Sequence, residues 1–272
     1  MDNKPFLIGV DSDGCAIDSM TVKHTQAFGP CLVKQWNLQQ YEQPILQAWN
    51  QTNLYTATRG INRFQGLAIA LRQIHQTYVP IDGIEALEAW VEHSKELSER
   101  ALMTEIEKQN GPCLQKALAW SQQVNREIQE LPIRAFDGVK DALREAAQVA
   151  DIAIVSSANR AAITEEWTRF GLMPYVKYTM AQDSGKKTEC IASLLDRGYA
   201  VHRTLMCGDA LGDERAAKEN GVWFFPIVAG KESESWAEFV NHALGRLVSG
   251  RYTEYEAQQI KAFHENLGIR GE

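Results

Sequence analysis

The chain has little that would suit it to nucleic acid or to a membrane. Its 28 lysines and arginines are outnumbered by 35 aspartates and glutamates, a net charge of -7 with a pI near 5.5. Binding a nucleic-acid backbone needs clustered cations, so a general surface of that kind is excluded, although a local cationic pocket for a small anion is not. The N-terminal apolar run, Phe6-Leu7-Ile8-Gly9-Val10, is far too short for a secretory signal or a membrane span. Cysteine is sparse and unpatterned. The five residues Cys15, Cys31, Cys113, Cys190 and Cys207 form no Cys-x-x-Cys pair and are odd in number, which reads as reduced core or loop thiols. There is no repeat and no low-complexity segment. These absences lead to the expectation of a cytoplasmic protein with neither a membrane nor a nucleic acid as partner.

What is present begins at the end of that apolar run. Asp11-Ser12-Asp13-Gly14 follows a probable buried strand, and open α/β sheets bind ligands at the carboxyl ends of their strands. In an extended segment the side chains at i and i+2 point the same way, so Asp11 and Asp13 are predicted to face one site. Two such carboxylates repel, and the pair calls for a metal ion, a shared proton or both. Gly14 suggests a tight turn.

A second acidic segment stands far along the chain. The short apolar run Thr204-Leu205-Met206-Cys207 is followed by Gly208-Asp209-Ala210-Leu211-Gly212-Asp213. If a helix begins there, Asp209 and Asp213 at i and i+4 share a face, and four acidic side chains converge on one crevice.

The order of these segments resembles the haloacid dehalogenase superfamily of aspartate-nucleophile phosphotransferases. Its first motif, Asp-x-Asp-Gly-x-x-x-Asp, is filled by Asp11, Asp13, Gly14 and Asp18. Its second, a Ser or Thr closing an apolar strand, is met by Ser156 after Ile152-Ala153-Ile154-Val155, with Ser157 as a neighbouring alternative. Its third, a lysine before a helix, is met by Lys187, with Lys186 as a rival. Its fourth, Gly-Asp-x-x-x-Asp, is met by Gly208, Asp209 and Asp213. One motif alone would be weak; all four in order are a strong signal. One departure is Cys15, where a Thr or Val usually follows the motif glycine. It reads as a packing variant, and an exposed thiol there would be sensitive to oxidation.

The resemblance implies an α/β fold: a Rossmann-like parallel sheet core with helices on both faces and an inserted all-helical cap. The residues agree. A βαβ crossover needs about 30 residues, yet roughly four times that length separates the first strand from the next convincing one at Asp151 to Ser156. We therefore assign residues 1–19 and 133–272 to the catalytic core and residues 20–132 to the cap. Helical faces are predicted in the cap over Phe28, Cys31, Leu32, Gln35 and Trp36, and along Leu87, Trp90, Val91, Leu97, Ala101 and Leu102. A third covers Leu114, Leu118, Ser121, Val124 and Ile128 after Gly111-Pro112. Beyond Pro132, short helices and strands alternate, the rhythm of a parallel sheet. The C-terminal helical segments are expected to pack on the core or on a partner subunit, and the state is read as monomer or homodimer.

The resemblance also implies roles. Asp11 is the nucleophile that becomes an aspartyl phosphate, and Asp13 is the general acid and base. Mg²⁺ is the cofactor, bound by the Asp11 carboxylate, the Asp13 carbonyl and Asp209, with Asp213 holding waters or the lysine. Ser156 and Lys187 hold the transferring group. The four-residue step from Lys187 to Ile191 favours this lysine over Lys186. Gly14 and Ser157 are further candidate substrate contacts, and Asp18 is read as structural. In the cap, Lys23, Arg59 and Arg63 are candidates for the non-transferred end, because arginine binds carboxylate or phosphate in bidentate fashion. The competing reading of both arginines is exposed charge paired with nearby acids. The implied activity is a Mg²⁺-dependent phosphatase acting on a small phosphorylated metabolite. A phosphomutase of the same fold and an inactive phosphate-binding relative are the alternatives, and a dehalogenase is disfavoured because it has no use for Asp13.

Overall fold

The computed structural model describes residues 3–269. Contacts divide the chain into two units, Met1–Met20 with Ile133–Glu272, and Thr21–Pro132.

The strands of the first unit are β1 (Phe6–Val10), β2 (Ile17–Asp18), β3 (Arg134–Ala135), β4 (Ala150–Val155), β5 (Val176–Met180), β6 (Thr204–Gly208) and β7 (Trp223–Pro226). Five of them form one parallel sheet in the order β5-β4-β1-β6-β7. Side chains alternate across it. Ile8 and Val10 join Ile152, Ile154, Leu205 and Cys207 in one apolar layer, and Leu7 joins Ala153, Val155 and Met206 in the other. Helices cover both layers: Trp167 and Trp236 come from Arg160–Arg169 and Glu232–Glu238 on the first side. On the second, Ile191, Ala216 and Phe263 come from Lys187–Leu195, Leu211–Glu219 and Thr253–Asn266. Burial on both faces is why these strands read as continuous apolar runs rather than alternating ones. The fold is therefore the Rossmann-like α/β sheet with helices on both faces.

The register determines what meets at the carboxyl edge. Val10 is level with Ile154 of β4 and with Cys207 of β6, so the residues that follow these three strands emerge side by side. The chain runs outward from β1 through β4 to β5, then returns to the other side of β1 for β6 and β7. Open α/β sheets place their ligands where the order reverses in this way.

At the opposite end of β4, Asp151 accepts hydrogen bonds from the Lys4 amide (2.9 Å), Lys177 Nζ (2.8 Å) and the Tyr199 hydroxyl (2.5 Å). Burial alone would raise this carboxyl, but the donors outweigh it and hold it below the usual carboxylate range. Asp151→Ala strands the buried Tyr199 hydroxyl and unpairs the partly exposed Lys177, and a loss of about 1–3 kcal/mol is expected in urea denaturation. Because the folded value lies below the unfolded value of 3.8, the contribution is complete above that pH and lost as pH falls through the folded value. The gap between wild type and variant should therefore close in acid; a gap independent of pH would contradict this.

The second unit is helical: Gly29–Gln35, Glu42–Leu54, Arg63–Thr77, Ile84–His93, Glu99–Gln109 and Pro112–Ile128 surround a core of Phe28, Trp49, Phe64, Leu67, Leu87, Trp90, Leu114 and Trp120. Pro112 opens its helix as predicted, since its missing N–H costs nothing at that position. The single face predicted from Leu87 to Leu102 is two helices. Ser94 is extended, and the Ser98 hydroxyl accepts from the Ala101 amide (3.2 Å), so that a serine cap starts a new helix inside the apolar pattern. The two-residue ladder β2–β3, where Asp18 accepts from Arg134 Nε (3.2 Å), was not foreseen. No helix among the described residues is long and apolar enough to cross a membrane.

Candidate active site

Asp11 is the first residue beyond β1, and its amide donates to the Cys207 carbonyl of β6 (3.0 Å). Its carboxylate is buried and accepts from the Ser12 amide at Oδ1 (2.7 Å) and from Lys187 Nζ at Oδ2 (2.8 Å). Lys187 is the first residue of Lys187–Leu195, and its Nζ also reaches Asp213 Oδ1 (2.5 Å). Lys186, the residue before that helix, is exposed, and its amide donates to Glu189 (2.8 Å). Of the two rival lysines, the structure brings Lys187 to the acids.

Asp209 and Asp213 complete a group. Carboxylate oxygens of Asp11, Asp209 and Asp213, all buried, lie within 4.8 Å of one another. The i, i+4 helix spacing is not what joins the last two. The helix spans Leu211–Glu219, so Asp209 stands in the turn before it, while Asp213 accepts from the Ala210 amide (3.1 Å) and caps the helix. Gly208 makes this possible: a Cβ there would sit 2.3 Å from both Cβ and Cγ of Asp213. The motif glycine is thus demanded by close approach of a carboxylate.

The electrostatics follow from burial. Burial pushes the Asp11 carboxyl up to about 6, against the pull of Lys187 and with a further push from Asp213. Asp213 is raised by burial and by Asp209, again opposed by Lys187. Burial would lower the Lys187 ammonium, but Asp11 and Asp213 outweigh it and hold it above the ordinary lysine range, so it stays charged.

Asp13 does not follow the extended-strand expectation. The Ser12 carbonyl accepts from the amides of Cys15 (3.3 Å), Ala16 (3.0 Å) and Ile17 (2.9 Å), and Gly14 has φ of +78°, so the chain curls directly after Asp11. The segment is a turn rather than an extended strand, so the i, i+2 argument does not apply to it. The Asp13 carboxylate accepts from the Ser19 hydroxyl, while the tight group of carboxylate oxygens is made by Asp11, Asp209 and Asp213. Cys15 is fully buried, and burial with the nearby aspartates drives its thiol well above the usual range. It is a neutral packing group, and the exposed, oxidisable alternative is excluded.

Ser156, buried at the end of β4, donates its amide to Met180 (2.9 Å) and accepts at Oγ from the Ala158 amide (3.3 Å). Ser157 is exposed. In the helical unit, Lys23 closes the short helix Met20–Lys23. Arg59 is buried rather than exposed and donates to the Leu54 carbonyl (3.0 Å). Arg63 donates to Ser121 Oγ (3.0 Å) and Asn125 Oδ1 (2.7 Å) and lies 5.1 Å over the Phe28 ring. Glu99 accepts from the same Ser121 and Asn125 side chains.

Three residues around the site were given no role there by the sequence reading. Ser19 holds Asp13, Trp167 Nε1 donates to Ser12 Oγ (2.9 Å), and Trp236 Nε1 donates to the Cys15 carbonyl (2.9 Å). The tryptophans lie 155 and 221 residues from their partners, beyond any local signal.

A sequence model of the haloacid dehalogenase-like hydrolase family matches residues 61–227. No curated protein matches the chain. Among solved structures, one of a predicted phosphoglycolate phosphatase from Haemophilus somnus is similar at 16% identity and a TM-score of 0.48, covering 81% of this chain and 84% of that one. A putative haloacid dehalogenase hydrolase from Bacillus subtilis, bound to magnesium, is similar at 16% identity and a TM-score of 0.48, with 81% and 86% covered. A putative beta-phosphoglucomutase from Thermotoga maritima has 14% identity, a TM-score of 0.47, and 81% and 84% covered.

Proposed function

The chain belongs to the haloacid dehalogenase-like hydrolases, and on that premise we propose that it is a Mg²⁺-dependent phosphatase acting on a small phosphorylated metabolite through an aspartyl phosphate. The observation that carries the reading is the buried Asp11 carboxylate, held 2.8 Å from Lys187 inside a group of three aspartates. Phosphate monoester hydrolysis needs accelerations of up to about 10²¹-fold, more than a single general base supplies.

Asp11 attacks phosphorus, and as that bond forms the bond to the leaving oxygen breaks. Asp13 gives its proton to that oxygen. The Asp13 carboxylate then takes a proton from a water that attacks phosphorus, and the bond to Asp11 breaks. Asp13 is held by Ser19, which suits proton transfer. Lys187 and Ser156 steady the phosphoryl oxygens. On the helical unit, the basic groups of Lys23, Arg59 and Arg63 are the proposed ligands for a carboxylate or second phosphate.

The donor set fits the cation. Three neighbouring carboxylates, two of them paired with one ammonium, carry excess negative charge, and they offer the hard oxygens Mg²⁺ takes. Asp11, Asp209, Asp213 and the Asp13 carbonyl would hold it, and it would neutralise charge on the phosphate oxygens. The test is hydrolysis of p-nitrophenyl phosphate and a phosphometabolite panel with and without Mg²⁺; failure on every substrate with Mg²⁺ present would overturn the reading.

A pH dependence follows. With Asp11 raised from 3.8 to about 6, the cation-free folded state binds more protons than the unfolded chain, so its stability declines as pH rises through that window. A cation competes with that proton. Mg²⁺ should therefore raise the melting temperature by several degrees near pH ~7.5 and by little near pH ~5. An equal shift at both values, or none at the higher, would contradict the assignment.

A further inference from the structure

The loop that bears Asp11 and Asp13 is gripped from below by two indoles. Trp167 and Trp236 are fully buried, stand on the separate helices Arg160–Arg169 and Glu232–Glu238, and belong to one apolar layer. Each spends its indole N–H on this loop, at Ser12 Oγ and at the Cys15 carbonyl, both at 2.9 Å. The two anchor points bracket Asp13 and Gly14. Ser12 is itself 1% exposed, so a hydroxyl at this position has left water and needs a partner. Its other polar groups already serve the loop: the amide donates to Asp11 Oδ1 (2.7 Å), and the carbonyl accepts from three amides ahead of it.

We propose that Trp167 and Trp236 are positioning residues, fixing through Ser12 Oγ and the Cys15 carbonyl the loop that carries Asp11 and Asp13. The inference rests on the phosphoryl-transfer reading above and adds the residues that set its geometry. A core tryptophan with a purely apolar task does not require this N–H, and phenylalanine would serve. Here both donors are directed at one loop, beside the aspartate that must meet phosphorus in line. A misplacement of about 1 Å is enough to cost about 10²-fold in rate, which is the size of effect such anchors prevent.

The experiment compares wild type with Trp167→Phe, Trp236→Phe, Ser12→Ala and the double variant Trp167→Phe/Ser12→Ala, assayed on p-nitrophenyl phosphate with saturating Mg²⁺, well below each variant's melting midpoint. Each single change should lower kcat by about 10- to 100-fold with KM within about threefold. The double variant should be no slower than the slower of its two parents, because both remove the same hydrogen bond. Ser12→Ala deletes one hydroxyl and keeps the ring, so its effect is not a matter of failed folding. Beryllofluoride with Mg²⁺, followed by ¹⁹F resonance, reads the same geometry without turnover and should bind the variants about tenfold more weakly. The positioning role is overturned if the variants keep kcat and beryllofluoride affinity within twofold of wild type, or if the losses in the double variant multiply. A wild type that neither turns over nor binds beryllofluoride would instead overturn the phosphatase reading, and this role with it.

Discussion

Asp11→Asn should abolish turnover while leaving the protein folded. The amide matches the carboxylate in shape and can still accept from the Ser12 amide, but it cannot form the acyl phosphate. A loss of at least about 10⁴-fold in kcat is expected, the range seen when a covalent nucleophile is removed. Stability should change little. The wild-type carboxyl is pushed up to about 6 by burial and by Asp213, so keeping it charged at neutral pH costs folding free energy. The neutral amide removes that cost, but with its oxygen on the Ser12 amide its NH2 stands where an oxygen accepted from Lys187, so the two effects offset and the melting temperature without Mg²⁺ should stay within a few degrees of wild type. The stabilisation by added Mg²⁺ should shrink. Activity within a few-fold of wild type would exclude Asp11 as nucleophile, and a collapse of the fold would show that its charge is structural.

Lys187→Met is the second large effect, and it carries an internal control. Lys187 is the ammonium shared by Asp11 and Asp213, with 16% of its side chain exposed. Removing one partner of a buried ionic group leaves uncompensated charge, which costs about 3–5 kcal/mol. Met keeps the volume, so the loss should be electrostatic rather than a cavity. Both aspartates should then be protonated to higher pH than before, and the rate at neutral pH should fall by about 10³-fold or more, since the phosphoryl group loses its cationic anchor. Added Mg²⁺ should recover part of the stability and little of the rate. Lys186→Ala touches an exposed side chain and should change stability by less than about 0.5 kcal/mol. Reversal of the two phenotypes, read by urea denaturation and phosphate release, would move the role to Lys186.

The parts of the fold that could be read ahead of the structure are those where burial leaves a periodic mark. β1, β4 and β6 are buried on both faces and appear as apolar runs, and Asp11, Ser156 and Asp209 follow their ends in sequence as they do in space. What was misjudged depends on local hydrogen bonds that hydropathy does not record. The curl at Gly14 turns Asp13 to Ser19, and Ser98 restarts a helix within an unbroken apolar pattern. β2 and β3 hold two residues each, too few for any periodicity. The choice between Lys186 and Lys187 turned on which one occupies the first helical position, a one-residue matter of phase. Ser19, Trp167 and Trp236 were invisible for another reason: each is an unremarkable core residue until its partner is known.

The most direct measurement is to trap the covalent species. The enzyme is turned over on a phosphorylated substrate with Mg²⁺, quenched, reduced with borohydride, and mapped by peptide mass. Reduction of an aspartyl phosphate converts that aspartate to homoserine, and the peptide containing Asp11 should carry the change, absent without substrate and absent in Asp11→Asn. Sustained phosphate release with Asp11 unmodified, or with the mark on another residue, would contradict the account at its centre.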